Sequence, residues 1–272
     1  MQWLHKLPAR IRDVVIFAPI PILMVLLSVK TAWVLFFVVG FIAIYEWRWV
    51  IFQRRDLFYS RNSRVALAMY CLSFIIGYFS LELGLLAGGF AGIIVYLGER
   101  NSYRVDAALG QWVVTLIALL AFDLRAVEAQ NGVNASGLAL FGLVLIVTTF
   151  SDSAAYFVGK AIGRHKFAPV ISPNKTWEGA IGGWIVAMIA AFIYSAYFLP
   201  GIDGWPLMGK VILFWAMAFA GQMGDLGESL LKRKNNIKDS GTTLRSHGGV
   251  LDRFDSLGPV VVILMLALWI SN

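Results

Sequence analysis

The sequence predicts an all-α polytopic membrane protein of about nine transmembrane helices, amino terminus cytoplasmic and carboxyl terminus outside. Three observations predict it. The 272 residues are 59% hydrophobic and 14% charged, with a mean hydropathy of +0.73, whereas charged residues make up about a quarter of a soluble domain. Apolar stretches recur at bilayer length, roughly 20 residues each. Of the 23 Lys and Arg residues, 20 fall on one side of a nine-span arrangement and 3 (Lys30, Arg125 and Lys210) on the other, as the positive-inside rule expects.

The spans are read at about 14–29, 31–47, 65–80, 81–98, 107–122, 136–158, 179–199, 207–228 and 256–271. The first follows Lys6, Arg10 and Arg12 as a signal peptide would, but Pro19 and Pro21 interrupt it and no small-x-small site follows. It is read as a retained helix. The second ends before a basic loop counted from Arg48 through Arg54, Arg55 and Arg61 to Arg64. Spans three to five are apolar runs with short connections, and the last four alternate with two long polar loops. Continuous apolar runs exclude a transmembrane β-barrel, whose strands alternate. The lone Cys71 excludes a disulfide framework. Composition shifts near residue 150, giving amino-terminal helices with basic loops over 1–135 and a catalytic membrane region over 136–272. The net charge of +7 is therefore one-sided and faces anionic headgroups and any anionic cytosolic ligand.

The loop before the last span concentrates both signs of charge. Asp225 with Glu228, and Asp252 with Asp255, are i,i+3 pairs that share a helix face. Carboxylates so placed repel unless a cation lies between them, which suggests a hard divalent ion of the Mg²⁺ type. Lys232, Arg233, Lys238 and Arg253 would then meet phosphate oxygens. Asp225 follows the apolar run 211–223, and Asp152 interrupts another; carboxylates at such depth are costly and usually functional. The preceding polar loop carries Gly159-Lys160 and Ser172-Pro173-Asn174-Lys175-Thr176. A helix starting at about Lys175 would set free backbone N–H groups beside a lysine, an anion site. Gly159 with Gly163, and Gly179 with Gly183, read as close-packing pairs. His165 and His247 are too few for zinc, and no Ser nucleophile elbow is present. His247 reads equally as a phosphate ligand or a turn residue.

Ser229, Lys232-Arg233, Lys238-Asp239, Gly241, Leu244, His247-Gly248-Gly249 and Asp252-Arg253-Phe254-Asp255 resemble, in register, the signature of the phosphatidate cytidylyltransferases, or CDP-diacylglycerol synthases. Asp152 to Tyr156 with Gly159-Lys160, and Ser172-Pro173-x-Lys175-Thr176 with Gly179, look like that family's other polar motifs. The resemblance covers about residues 145–258. It implies condensation of CTP with phosphatidic acid to CDP-diacylglycerol and pyrophosphate, with Asp225 and Asp252 as metal ligands for Mg²⁺ and room for a second, monovalent cation. It also implies catalytic roles for Lys232, Arg233, Lys238, Asp239, Arg253 and Asp255. Substrate contacts are expected from Asp152, Lys160, Ser172, Lys175, Thr176, Ser229, His247, Gly248 and Gly249. The expected partners are CTP, phosphatidic acid and membrane lipids, with no nucleic acid and a homodimer left open, in a bacterial inner membrane with the site on the cytoplasmic side. Two departures stand out: Arg245-Ser246 where the pattern has Pro-Gly, and Ser151 where a small apolar residue is usual. Rival readings are a transporter or flippase, a non-catalytic lipid-binding homologue, and an enzyme acting on another lipid phosphate.

Overall fold

The computed structural model describes residues 19–52, 60–99, 103–127, 136–237, 240, 241, 243 and 248–271, and most of them are helical. The helices are α1 (Pro19–Leu27), α2 (Val29–Phe52), α3 (Arg61–Phe79), α4 (Leu81–Gly98), α5 (Arg104–Ala126), α6 (Gly137–Ile162), α7 (Trp177–Phe198), α8 (Pro200–Asp203), α9 (Leu207–Lys234) and α10 (Leu251–Ser271). Strands β1 (Lys166–Ala168) and β2 (Ser172–Thr176) form an antiparallel hairpin between α6 and α7. Among the described residues eight helices, α2 to α7 with α9 and α10, are long and apolar enough to cross a membrane. They follow the second to ninth predicted spans in order. Of the first predicted span the described residues contain only the nine-residue α1. The protein is thus an all-α polytopic integral membrane protein, with one small hairpin among the described residues.

Polar residues set the helix limits. Ser60 caps α3 by accepting from the Ser63 amide, and Ser136 caps α6 by accepting from Ala139. Ser80 serves two helices: its N–H donates to the Ile76 carbonyl at the end of α3, and its hydroxyl accepts from Leu83 at the start of α4.

The chain groups into two compact units, Met1–Phe122 with Lys234–Arg253, and Asp123–Arg233 with Phe254–Asn272. In the first, the Tyr70 hydroxyl lies over Gly40 and donates to the carbonyls of Phe36 and Phe37 at 3.1 and 3.0 Å. Gly77 and Gly84 bring the backbones of α3 and α4 into contact. Arg48 is not a loop cation, as the charge count took it to be. It lies inside α2, 3% exposed, and pairs with Glu99 at 2.5 Å while its Nε donates to Ser63. The partner at a sequence separation of 51 outweighs the local signal of a basic loop.

In the second unit, α6 and α7 cross at their glycines. A Cβ on Gly179 would stand 2.6 Å from the Ala155 carbonyl oxygen, and one on Gly183 2.7 Å from that of Ser151; the glycines are there to let backbones meet. On α10, Pro259 cannot donate to the Asp255 carbonyl one turn back. Gly224 of α9 lies directly against that freed oxygen.

Candidate active site

The helix expected to start at about Lys175 begins two residues later. Residues 172–176 are extended as β2, pairing Lys166 with Thr176 and Ala168 with Ser172, and Thr176 is the N-cap of α7, accepting from the Gly179 amide at 3.2 Å. Ser172 and Asn174 have cap chemistry, but the strand pairing and the Phe167–Trp177 edge contact, 4.4 Å between centroids, hold the chain extended up to Thr176. Lys175 therefore projects from a strand. Its Nζ reaches Asp225 Oδ2 on α9 at 2.5 Å. This pair lines a cavity of about 240 Å³ together with Asp152, Tyr156, Asn174, Thr176 and Gln222.

Beyond Asp225, one turn along α9, Glu228 is buried and its Oε2 accepts from Lys232 at 2.9 Å. Its carboxyl group lies against that of Asp255, and Asp255 is also a near neighbour of Asp225. Asp255 Oδ1 accepts from the Ser256 amide and hydroxyl. Glu228 thus has Lys232 on one side and the Asp255 carboxyl group on the other, and the two carboxyl groups can share a proton. No three His, Cys, Asp or Glu side chains among the described residues form a ready-made metal cage. Mg²⁺ does not require one, since it binds through one or two carboxylates and takes its remaining ligands from water and substrate phosphates. The Asp225 carboxylate, partly exposed at the cavity beside Lys175, is an oxygen donor of the kind such an ion takes.

Asp252 belongs to the other unit. It stands in the first turn of α10, where a carboxylate suits the helix dipole. It accepts from the Ser240 amide, 3.2 Å to either oxygen, and from the Gly249 amide at 2.7 Å. Gly248 has φ +79°, and a Cβ there would come within 2.6 Å of Asp252 Oδ2. Only glycine adopts that conformation without strain and leaves room for the carboxylate.

Residues 8–271 match the profile of the cytidylyltransferase family. The chain belongs to that family. It is 42% identical over 149 residues to a phosphatidate cytidylyltransferase of Haemophilus influenzae, covering 54% of this chain and 52% of the relative. A second relative of the same name, from Bacillus subtilis, is 42% identical over 130 residues, 48% of this chain and 47% of the relative. A third, from Brucella suis, is 38% identical over 191 residues, 68% of this chain and 64% of the relative. The chain thus spans about half to two thirds of the length of these curated relatives.

The cavity brings together Asp152 of α6, Lys175 and Thr176 of β2 and Asp225 of α9. Thr176 is 7% exposed and engaged as a helix cap. Lys232 is held by Glu228, and the Arg233 Nε donates to the Ile171 carbonyl at 3.4 Å. Lys160 lies over the Tyr156 ring at 5.8 Å, Ser172 opens β2, and Ser229 is half-buried on α9. Arg253 is exposed on α10. Gly248 and Gly249 pack around Asp252. Lys238, Asp239, Arg245, Ser246 and His247 lie outside the described residues.

Sequence reasoning missed Gln222. It is 5% exposed, one turn before Asp225, and its Nε2 donates to Ser151 Oγ at 3.2 Å and to the Ala180 carbonyl at 3.3 Å. The departure at Ser151 is thereby explained: its hydroxyl receives α9 where an apolar residue would leave the amide with one acceptor fewer. A polar amide within an apolar run, one turn before a carboxylate, was the available signal.

Proposed function

We propose that the protein is a phosphatidate cytidylyltransferase, condensing CTP with phosphatidic acid to give CDP-diacylglycerol and pyrophosphate in phospholipid biosynthesis. The observation that carries this reading is the cavity in which Asp152, Lys175 and Asp225 converge from α6, β2 and α9. The lipid phosphomonoester carries about −1.5 to −2 charges near neutral pH. It is already a nucleophile and needs no strong base. One of its oxygens bonds to the α-phosphorus of CTP as the bond from that phosphorus to the β-phosphate bridging oxygen breaks, and pyrophosphate leaves with that electron pair. The protein's task is alignment and charge neutralisation.

Lys175 supplies a point charge that can pass from Asp225 to a phosphate oxygen. Arg233, Lys238 and Arg253 are assigned to the nucleotide and leaving phosphates, and Lys160 and Ser172 to CTP or the lipid headgroup. Asp225 and Asp252 are assigned as Mg²⁺ ligands, with a second, monovalent cation in addition. When bound, the ion offsets the charge that builds on the leaving pyrophosphate. Nine crossings with a cytoplasmic amino terminus and an external carboxyl terminus set this chemistry at the cytoplasmic face of a bacterial inner membrane.

The test is incubation of the purified protein in detergent with radiolabelled CTP and phosphatidic acid, with and without Mg²⁺. Mg²⁺-dependent cytidine label in the lipid phase is expected. Folded protein that binds CTP and yields no label would move the assignment to another lipid phosphate.

A further inference from the structure

Glu46 sits in α2, 2% exposed, in a helix that is otherwise almost wholly apolar. A carboxylate buried there is costly unless it is hydrogen-bonded. Its partners come from the signature loop, about 200 positions away. Glu46 Oε1 accepts from the Thr243 hydroxyl at 2.5 Å, and Oε2 accepts from the Leu251 amide at 2.8 Å, at separations of 197 and 205 residues. Two glycines of the loop leave room for it: a Cβ on Gly241 would come within 2.7 Å of Oε1, and one on Gly249 within 2.6 Å of Oε2. The carboxylate therefore joins the limb at 240–243 to the limb at 248–251. Asp252 joins the same two limbs through the Ser240 and Gly249 amides. Ser240, Gly249, Val250 and Leu251 are all buried around this double brace.

The helix that carries Glu46 is itself fixed. Arg48, two residues on, is locked to Glu99 and Ser63, which sets the register of α2 against α3 and the end of α4.

We propose that Glu46 is a positioning residue for the reaction, a brace from the amino-terminal helices that holds the signature loop and so fixes the Asp252 carboxylate. The inference rests on the assignment of Asp252 to catalysis. Glu46 acts through the Leu251 amide and the Thr243 hydroxyl on the donors that hold Asp252.

The test compares the full chain with its Glu46→Ala, Glu46→Gln and Thr243→Val variants in detergent, by hydrogen exchange over residues 240–252 and by steady-state kinetics with CTP and phosphatidic acid. In Glu46→Ala, exchange at Ser240, Gly249 and Leu251 is expected to quicken by about tenfold or more, the effect of losing a charge-assisted hydrogen bond. The kcat should fall by about 100-fold, as for a group displaced by roughly 1 Å, while the KM for CTP holds within about threefold. Glu46→Gln keeps an oxygen for Leu251 and an amide donor for Thr243, so it should recover most of both. Thr243→Val, which removes one bond with little change of shape, should fall between them. It also keeps the test decisive if Glu46→Ala does not fold. Faster exchange with unchanged kcat overturns the positioning role, and unchanged exchange overturns the brace itself. If the unaltered chain makes no lipid-linked cytidine while the exchange pattern holds, the activity reading fails and the brace stands.

Discussion

The two aspartates proposed as metal ligands, one in each unit, have partners of different kinds. Asp225, in the unit of α6 and α7, has a side chain for its partner, the Lys175 ammonium at 2.5 Å, and both groups are partly exposed to the cavity. Asp252, in the unit of α2 to α4, is held by backbone amides of Ser240 and Gly249. A flexible ammonium can leave its carboxylate when a phosphate offers a better partner. A backbone cradle, which glycine conformation and packing fix, cannot. Asp225 thus has a partner that can be exchanged, and two of the partners of Asp252 are fixed in the backbone.

The bluntest way to break this comparison is to neutralise each acid. Asp225→Asn and Asp252→Asn are both expected to lower CTP-dependent turnover by about 10³-fold, read as label in the lipid phase, as loss of a principal electrostatic group does. Near-normal turnover in either variant removes that residue from the metal assignment. The next effect separates cradle from charge. Gly248→Ala meets both the positive φ and the Asp252 oxygen, so it should lose about 100-fold in kcat and about 1–2 kcal/mol of stability. Gly227→Ala is its control, because a Cβ there meets nothing within 4 Å. It should be neutral or raise the detergent melting temperature, by the roughly 0.5–1 kcal/mol that Ala gains over Gly in a helix.

Lys175 tests the exchangeable partner. Lys175→Gln should reduce kcat/KM for CTP by about 10- to 100-fold, with Lys175→Arg recovering part of it, as expected when a point charge on phosphate is lost or reshaped. Equal loss in both variants would mean that the compact ammonium is essential. The smallest effect belongs to the scaffold. Ser151→Ala removes one bond from Gln222 and should cost about 0.6 kcal/mol, the average for such a bond between membrane helices, with turnover within about twofold.

The membrane helices were legible because each is a bilayer-length apolar run, and the order of eight of them follows the predicted spans. The depth of Asp225 marked it as a candidate, since it follows residues with no other charge. The hairpin was not legible. Three- and five-residue strands containing Pro173 and Asn174 give no alternation to read. Arg48 looked like one more cytoplasmic cation, and Glu46, two residues before it, was passed over. Nothing local indicates that Arg48 turns to Glu99 or that Glu46 reaches Thr243 and Leu251. Long-range partners of single buried charges are properties of packing, which one sequence leaves unwritten.

The turn between α3 and α4 is one residue long, and Ser80 spends both its amide and its hydroxyl on the two helix ends. At that point the protein offers the aqueous phase no loop at all. An antibody has no epitope to grip there, a protease finds no extended bond, and an inserted tag has to pull apart two helices whose backbones touch.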